Sequence, residues 1–472
     1  MDAEVRSRLV REVTLAGNCS HPIRLRGEMV NMATGEVGES LLRVACKDRR
    51  EVVCAACSYL YKADAWILVA SGLAGGKSIP ESVVQHPRLF VTLTAPSFGP
   101  VHTINDRGGC VLSGSATDRS TTSSDASESP RREDVLPRSC RHPVGLTCSS
   151  RHREGDPILG QPLCERCFDY EGTVLWNAHA SRLWSRTILH LRRLLAEDTG
   201  VSQSAFKNVA LVHYLKVAEI QRRGSVHFHA LLRADGPDDI GDEPPTWLTS
   251  AELARTFRSA VSQVHIDGLN GLPVVWGRIV DVQDVSLGAD DPLKVASYIA
   301  KYATKTTDGT RDLARRFKLR RQIEIMVDDP HARRLALTAW DLGEVAQYSA
   351  LNLPHHAHAF GYTGHLITKS RGYSTTFAAL RGARSEYMAS RNAGDPIEGT
   401  FHFEGRGYDD PRGVDVAEIF FAMRRELRQE AARARREAHM TSQISSPGVS
   451  SSSKSSEDPT TKASISIDYE LT

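Results

Sequence analysis

The sequence lacks any run that approaches the ~18 consecutive apolar residues of a membrane-spanning helix. Its first residues, MDAEVRSRLVREV, contain acidic side chains and no apolar stretch of the kind that a secretion signal needs. A large excess of charge is also missing, because 59 Lys and Arg are balanced by 57 Asp and Glu, for a formal net charge of +2. We therefore expect a cytoplasmic protein whose affinity for nucleic acid depends on local clusters of basic residues.

The chain is long enough to bury a substantial core. With 472 residues, of which 40% are hydrophobic, it is expected to form two or three folding units. Residues 111–134 nearly lack large apolar side chains and predict a flexible linker, and the serine-rich residues 440–472 predict a disordered tail. Residue patterns predict a strand within 86–100 and helices at 176–198, 290–307 and 413–438. The last helix is basic and amphipathic, which suits either a DNA or partner contact or a solvated face.

Nine cysteines fall into two groups of four and one single residue, Cys110. Each group ends in a CxxC pair, CAAC or CERC, and such a pair presents two sulfurs to one zinc ion from a single turn. Two structural zinc sites are therefore predicted, with His142 or His152 able to replace a thiolate in the second; the alternative is a set of buried apolar cysteines. The predicted ligands are Cys19, Cys46, Cys54 and Cys57, and Cys140, Cys148, Cys164 and Cys167.

A tight basic turn separates two strand-like segments, LVHYLKVAEIQ and SVHFHALLRA, and predicts a β-hairpin with a left-handed glycine in the turn. We expect Gln221 to pair with Ser225. Glu219 then lies directly opposite His227. His229, two residues further on, points to the same face. This face is a half-open site for a divalent cation, where nitrogen and oxygen ligands allow Mg²⁺ or Mn²⁺ as well as Zn²⁺.

An H-x-H pair alone carries little information, since about 0.7 such pairs are expected by chance among 18 histidines in 472 residues. A second pair, His356 and His358, occurs in the segment PHHAHAF. The alternative interpretation is therefore that His227 and His229 simply lie on a solvated strand face. The surrounding residues are needed to distinguish a metal site from a solvated strand face.

The helix that begins at Pro292 carries Tyr298 and Tyr302, which are four residues apart and so lie on one face, with Lys301 beside it. Tyrosines at this spacing often form the edge of an amphipathic core, which is the alternative here. Next to a metal-polarised phosphate, however, a phenolic oxygen can attack in a transesterification. Nearby lysines lower the cost of forming the phenoxide.

Basic residues are concentrated around and after the two tyrosines. Between residues 294 and 321 the chain has nine Lys or Arg and only two Asp. Such a cluster is typical of a surface that binds the DNA backbone. The candidate DNA contacts are Lys294, Lys305, Arg315 and Arg316.

Taken in order, the segments FVTLTAP, HFHALL and YIAKYATK resemble the three motifs of the HUH-endonuclease replication initiators of rolling-circle plasmids and small phages. The segments CAACSYLYKADAW, LCERCFDY and GHLITKSRGYSTTF are more similar to the initiators of actinomycete plasmids and integrative elements. The similarity spans residue 15 to about residue 380. It implies an α+β fold in which a central antiparallel sheet with flanking helices is decorated with zinc-ribbon-like cysteine modules. The resemblance implies a structural or DNA-positioning role for Thr92 and Thr94 of the first motif.

The resemblance also implies roles for the site residues and a bacterial cytoplasmic location. His227 and His229 bind the metal, and Glu219 on the neighbouring strand supplies the third ligand. Tyr302 is the primary nucleophile and gives a 5′-phosphotyrosine and a free 3′-OH, and Tyr298 alternates with it between opening and closing the strand. The implied partners are origin DNA, single-stranded at the nick, and the host helicase, single-strand-binding protein and polymerase.

Other functions share parts of this pattern. A relaxase uses the same chemistry, but its tyrosine usually precedes the histidine motif, whereas here it follows. A two-tyrosine rolling-circle transposase shares the motif order, and a zinc-ribbon DNA-binding regulator would use the same residues only as scaffold. The predicted order of domains is an N-terminal zinc-binding module (1–80), an HUH endonuclease domain (85–310) with the linker at 111–134 and a second cysteine module at 138–170, a basic helical region (311–438) and the tail (440–472).

Overall fold

The computed structural model divides into two compact units, Met1–Glu418 and Ile419–Thr472. The described residues are 3–104, 148, 150–268, 270–285, 292–303, 312–391 and 397–444. Several predicted features therefore lie outside the described residues. These features are the linker at 111–134, the tail beyond residue 444, Cys110, Cys140, His142 and Lys305.

The described residues mix α-helices with antiparallel strands, which confirms the α+β class. The helices are α1 (Ala3–Leu15), α2 (Ala55–Ala74), α3 (Tyr170–Asp198), α4 (Ser250–Gln263), α5 (Pro292–Ala303), α6 (Arg320–Met326), α7 (Pro330–Gly343), α8 (Phe377–Arg391) and α9 (Arg412–Ile444). The strands are β1 (Ile23–Asn31), β2 (Val37–Val44), β3 (Arg88–Leu93), β4 (Leu211–Ile220), β5 (Val226–Asp235), β6 (Ile266–Asp267), β7 (Pro273–Val274), β8 (Val280–Asp284), β9 (Ile367–Lys369) and β10 (Ile397–Arg406). Among these helices, none has both the length and the apolar character that a membrane crossing requires.

The predicted helices are present, but some of their ends differ. α3 begins at Tyr170, ahead of the predicted residue 176, because the side chain of Asp169 accepts a hydrogen bond from the backbone N–H of Gly172 and caps the helix (2.7 Å). α5 begins at Pro292, as predicted from the preference of proline for a first helical turn. α9 continues to Ile444, past the residue at which the tail was predicted to begin.

A five-stranded antiparallel sheet lies at the centre of the first unit, with strand order β8-β3-β5-β4-β9. On one face of β5, Val226, Phe228 and Ala230 are fully buried in a core that includes α3, α4 and α7. On the other face of the sheet, Phe90 and Leu215 pack against α2 and α5. Helices therefore cover both faces of the sheet. β9 lies within the predicted C-terminal helical region, so that region also contributes an edge strand to the sheet.

A second, three-stranded sheet has the order β10-β1-β2. β10 pairs with β1 although it lies near the other end of the chain, and the sequence patterns gave no sign of this pairing. The two strands approach very closely at Gly27, where a Cβ atom would lie 1.9 Å from the carbonyl oxygen of Thr400. Glycine is therefore required at this position of the sheet.

A cluster of buried charges joins the central sheet to α2. Asp235 at the end of β5 accepts hydrogen bonds from Arg233 Nε (2.7 Å) and from His86 Nδ1 (2.8 Å). Arg233 also donates to the carbonyl oxygens of Gly72 in α2 (2.6 Å) and of Tyr373 (3.0 Å). Burial alone raises the pKa of Asp235, but the hydrogen bonds from His86 and Arg233 outweigh it and lower that pKa to about 2.

We expect the Asp235→Ala substitution to lower the free energy of unfolding by about 3–5 kcal/mol, because it leaves the Arg233 guanidinium buried without its carboxylate. The measurement is urea denaturation followed by circular dichroism. A matched control is Asp198→Ala, which removes a carboxylate from the solvent-exposed Arg255. Equal effects of the two substitutions would show that burial of the Arg233 pair adds nothing to stability.

Candidate catalytic and metal sites

The β4–β5 hairpin has the predicted turn and register. The backbone N–H of Gln221 donates to the carbonyl of Ser225 (3.0 Å), and that of Gly224 donates to Gln221 (2.8 Å). Gly224 has a φ of 86°, the left-handed conformation that favours glycine. A Cβ atom there would also lie 2.3 Å from a methyl group of Leu335 in α7, so the turn is held against that helix.

Three strands bring the predicted metal ligands together on one face. Glu219 pairs with His227 across the hairpin, as predicted. His229 Nε2 lies 3.5 Å from Glu219 Oε2, and the centroids of the two histidine rings are 4.6 Å apart. On β3, Thr92 stands opposite His229, and its hydroxyl is 3.2 Å from His229 Nδ1. The predicted ligands are therefore neighbours, and Thr92 orients one of them.

Gln221 orients the other histidine. Its side-chain amide donates to His227 Nδ1 (2.7 Å), and its oxygen accepts a hydrogen bond from Arg223 Nε (2.8 Å). Burial, followed by the charge of His229, lowers the pKa of His227 to about 4, so the ring is neutral at pH 7. Sequence reasoning missed this role of Gln221. The predicted register could have revealed this role, since Gln221 lies two residues after Glu219 and its side chain therefore points to the same face.

The donor atoms of this face are of types that bind metal ions. The Nε2 atoms of His227 and His229 are buried and make no hydrogen bond within the described residues. Buried polar atoms without a partner are rare, and a bound ion is one explanation for them. The ligand atoms of His227, His229 and Glu219 do not all lie within 4.8 Å of one another. The face therefore offers imidazole and carboxylate donors, which are ligand types that suit Mg²⁺, Mn²⁺ or Zn²⁺.

Both predicted tyrosines contact this face from α5. The ring of Tyr302 stacks on His229, with centroids 4.5 Å apart and planes 28° apart. Tyr298 meets the same imidazole edge-on at 5.7 Å and lies 5.0 Å from Tyr302. Tyr298 is 46% exposed, whereas Tyr302 is half-buried. The fold therefore places two phenols beside the candidate metal ligands.

The surroundings of Tyr302 favour its neutral phenol. Burial raises the pKa of Tyr302, and a hydrogen bond with Tyr298 and the negative charge of Glu219 raise it further. Formation of a phenoxide at Tyr302 therefore needs added positive charge close to Glu219.

The predicted DNA contacts lie in the same part of the chain. Lys294 and Lys301 are exposed on α5, the helix that carries the tyrosines. Arg315 and Arg316 are exposed in the following segment, whereas Lys305 lies outside the described residues. The described basic side chains are thus available to solvent, as a phosphate-binding role requires.

The first cysteine group is assembled at the base of the β1–β2 hairpin. Its four sulfurs, from Cys19, Cys46, Cys54 and Cys57, all lie within 4.8 Å of one another. The sulfurs of Cys19 and Cys54 are 3.8 Å apart, and the backbone N–H of Cys46 donates to the Cys19 sulfur (3.2 Å). The neighbouring thiols lower the pKa of Cys54, with Cys19 contributing most. Four converging sulfurs of this kind fit a structural tetrahedral zinc ion.

Only part of the predicted second cysteine group lies within the described residues. Cys148 lies beside His152, as the sequence allowed, and His102 completes a cluster that sequence reasoning missed. Cys164 and Cys167 do not belong to that cluster, and Cys140 lies outside the described residues. The described residues therefore do not gather the predicted second set of thiolates at one point.

Comparisons with known proteins identify the family to which the chain belongs. A family model described as "Replication initiator protein, pSAM2" matches residues 6–422. A replication initiator protein of Streptomyces ambofaciens is 36% identical over 393 residues, which cover 80% of this chain and 77% of that protein. No solved structure matches the chain. Both the extent of the family match and the identity to the Streptomyces protein place this chain in the replication initiator family of pSAM2.

Proposed function

We propose that this chain starts plasmid replication as an HUH endonuclease, by cutting one DNA strand at the origin with a tyrosine. We assign this chemistry to the domain at 85–310. The observation that carries the proposal is the contact of both Tyr298 and Tyr302 with His229, whose other neighbour is Glu219. The family assignment supports a role in initiation and favours it over a transposase or a relaxase.

We propose that His227, His229 and Glu219 hold a divalent cation, Mg²⁺ or Mn²⁺. When bound, the cation would offset the charge of the scissile phosphate and polarise its phosphorus. The hydrogen bond from Gln221 determines which ring nitrogen of His227 carries the proton. While the amide of Gln221 donates to Nδ1, the ring proton of the neutral imidazole is on Nε2. If the amide turns over, its oxygen accepts from Nδ1 and the Nε2 lone pair is released as a ligand.

The proposed strand transfer exchanges one phosphodiester for another. Tyr302 loses its phenolic proton, and its oxygen forms a bond to the phosphorus while the bond from phosphorus to the 3′ oxygen breaks. The 3′ oxygen takes up a proton and becomes the 3′-OH that primes synthesis. Because the 5′-phosphotyrosine retains the energy of the broken bond, rejoining needs no ATP. We assign the second transfer, which closes the strand, to Tyr298, the more exposed phenol.

We propose that the exposed basic residues near the tyrosines hold the DNA backbone. Lys294 and Lys301 project from the same helix as the nucleophile, and Arg315 and Arg316 follow it. Contacts of this kind fix the position of the strand but carry no base information. After the nick, the host helicase, single-strand-binding protein and polymerase are the expected partners.

The test is a denaturing gel of protein, Mn²⁺ and end-labelled single strands that span the origin of the encoding element. The wild type should give a labelled band shifted by the mass of the protein. The double variant His227→Ala, His229→Ala should lose this band by roughly 10²-fold or more, because imidazole ligands of an essential metal are removed. The matched control is His356→Ala, His358→Ala, the other H-x-H pair, which lies in a short 3-10 helix and should retain the band.

One outcome would replace the proposal with a DNA-binding regulator. In that case the wild type would bind duplex origin DNA without forming an adduct on either strand, in Mg²⁺ or in Mn²⁺. Retention of the adduct by the His227 and His229 variant would contradict the assignment of the metal ligands while leaving the tyrosine chemistry in place.

A further inference from the structure

We infer that His102, Cys148 and His152 form a zinc site of their own, separate from the CERC pair. His152 Nε2 lies 3.3 Å from His102 Nδ1 and 3.4 Å from the sulfur of Cys148. All three ligand atoms lie within 4.8 Å of one another. The inference concerns metal content and does not depend on the proposed nicking chemistry.

The separations match those between the ligands of a tetrahedral zinc ion. Zn–N bonds of about 2.0–2.1 Å and Zn–S bonds of about 2.3 Å, at tetrahedral angles, place neighbouring ligand atoms about 3.3–3.6 Å apart. The two measured contacts of His152 are at this spacing. Imidazole and thiolate donors together favour zinc over Mg²⁺ or Ca²⁺. The described residues supply three ligands, which leaves one position of the tetrahedron for a further ligand.

A carboxylate contacts the second ring nitrogen of His152. Asp156 Oδ2 lies 3.0 Å from His152 Nδ1, the ring nitrogen that points away from the cluster. A proton held on Nδ1 by this carboxylate leaves the lone pair of Nε2 free for a metal. Metal-binding histidines almost always make such a contact through their second nitrogen, which fixes the ring orientation. His152 itself is only 6% exposed, so its orientation is well fixed by its surroundings.

The CERC pair follows a short segment that pairs with the residues just before His102. Val101 pairs with Pro162, and the backbone N–H of Leu163 donates to the carbonyl of Pro100 (3.0 Å). In this antiparallel arrangement, the chain moves away from His102 as it approaches Cys164. The pairing therefore directs the chain that carries the CERC cysteines away from His102.

A metal at this site would stabilise the turn of the β4–β5 hairpin. The carbonyl oxygen of Asp156 accepts a hydrogen bond from Arg222 Nη1 in the β4–β5 turn (2.9 Å). Gly160 also packs closely on Arg222, since a Cβ atom at Gly160 would lie 2.8 Å from the Cβ atom of Arg222. A metal on His152 therefore fixes Asp156, and Asp156 fixes the turn next to Gln221. The same metal joins the chain before and after residues 103–147.

The first experiment measures zinc in the purified full-length protein by inductively coupled plasma mass spectrometry after saturation with Zn²⁺ and removal of the excess. His102→Ala and His152→Ala should each lose one equivalent of zinc per chain relative to the wild type. The matched control Cys164→Ser should lose none. If both histidine variants keep the zinc content of the wild type, or if Cys164→Ser loses the equivalent in their place, the site is overturned.

A second measurement does not depend on the folding of any variant. In the wild type, alkylation of Cys148 by iodoacetamide is followed by mass spectrometry with zinc present and after chelation. Zinc should slow alkylation of Cys148 about tenfold or more, because the reactivity of a cysteine depends on a free thiolate and a bound metal occupies it. Equal rates in the two conditions would overturn the proposal.

Discussion

Tyr302→Phe should reduce the covalent protein–DNA adduct by roughly 10³-fold or more, as expected for loss of a nucleophile. Phenylalanine preserves the stacking of the ring on His229 and removes only the phenolic oxygen. Tyr298→Phe should still nick the strand, because the half-buried phenol next to His229 remains, but should fail to rejoin it. The measurement is the denaturing gel described above, extended by a chase with a second, unlabelled strand.

The chain offers a matched control for this experiment in Tyr387, which is 46% exposed, as Tyr298 is, and lies on α8. Tyr387→Phe should leave both nicking and rejoining unchanged. Loss of the adduct in Tyr298→Phe together with its retention in Tyr302→Phe would reverse the order of the two nucleophiles. An adduct that survives in the double tyrosine variant would rule out both Tyr298 and Tyr302 as the nucleophile.

Cys54→Ser should remove one equivalent of zinc and loosen the β10-β1-β2 sheet. Cys54 is 1% exposed and immediately precedes α2, while Cys19 and Cys46 lie just outside the two ends of the β1–β2 hairpin. Zinc bound at these sulfurs would tie the hairpin to the start of α2. Structural zinc contributes about 10–16 kcal/mol in zinc-finger peptides, so its loss should have a large effect.

Hydrogen exchange gives a local readout of this effect. The amides of β1 and β2 should exchange faster in Cys54→Ser than in the wild type, and to the same degree in chelator-treated wild type. Cys164→Ser should leave their protection unchanged. A Cys54→Ser protein with full zinc content and full protection would mean that the first cysteine group is only an apolar core.

The sequence allowed the hairpin and its site face to be predicted because both depend on local rules. A three-residue turn sets the register of β4 and β5, and the period of two then decides that Glu219 faces His227. The helical spacing likewise placed Tyr298 and Tyr302 on one face. These predictions needed only a few neighbouring residues.

Features that depend on distant parts of the chain were not predicted. His102 was not predicted as a ligand, because it precedes Cys148 by a long segment and belongs to no recognisable ligand spacing. The pairing of β10 with β1 and of β9 with β4 was also missed, since strand patterns do not reveal their partners. The second cysteine group was predicted from spacing, which cannot tell whether a nearby histidine takes the place of a sulfur.

The pairing of β10 with β1 has a consequence for synthesis of the protein on the ribosome. One edge of β1 stays without its partner strand until residue 406 has been translated, although β2 is made early. Such late, non-local pairing raises contact order and slows folding, and an unpaired edge is a template for association between nascent chains. The β10-β1-β2 sheet is therefore expected to reach its native state late, even though β1 and β2 are made long before β10.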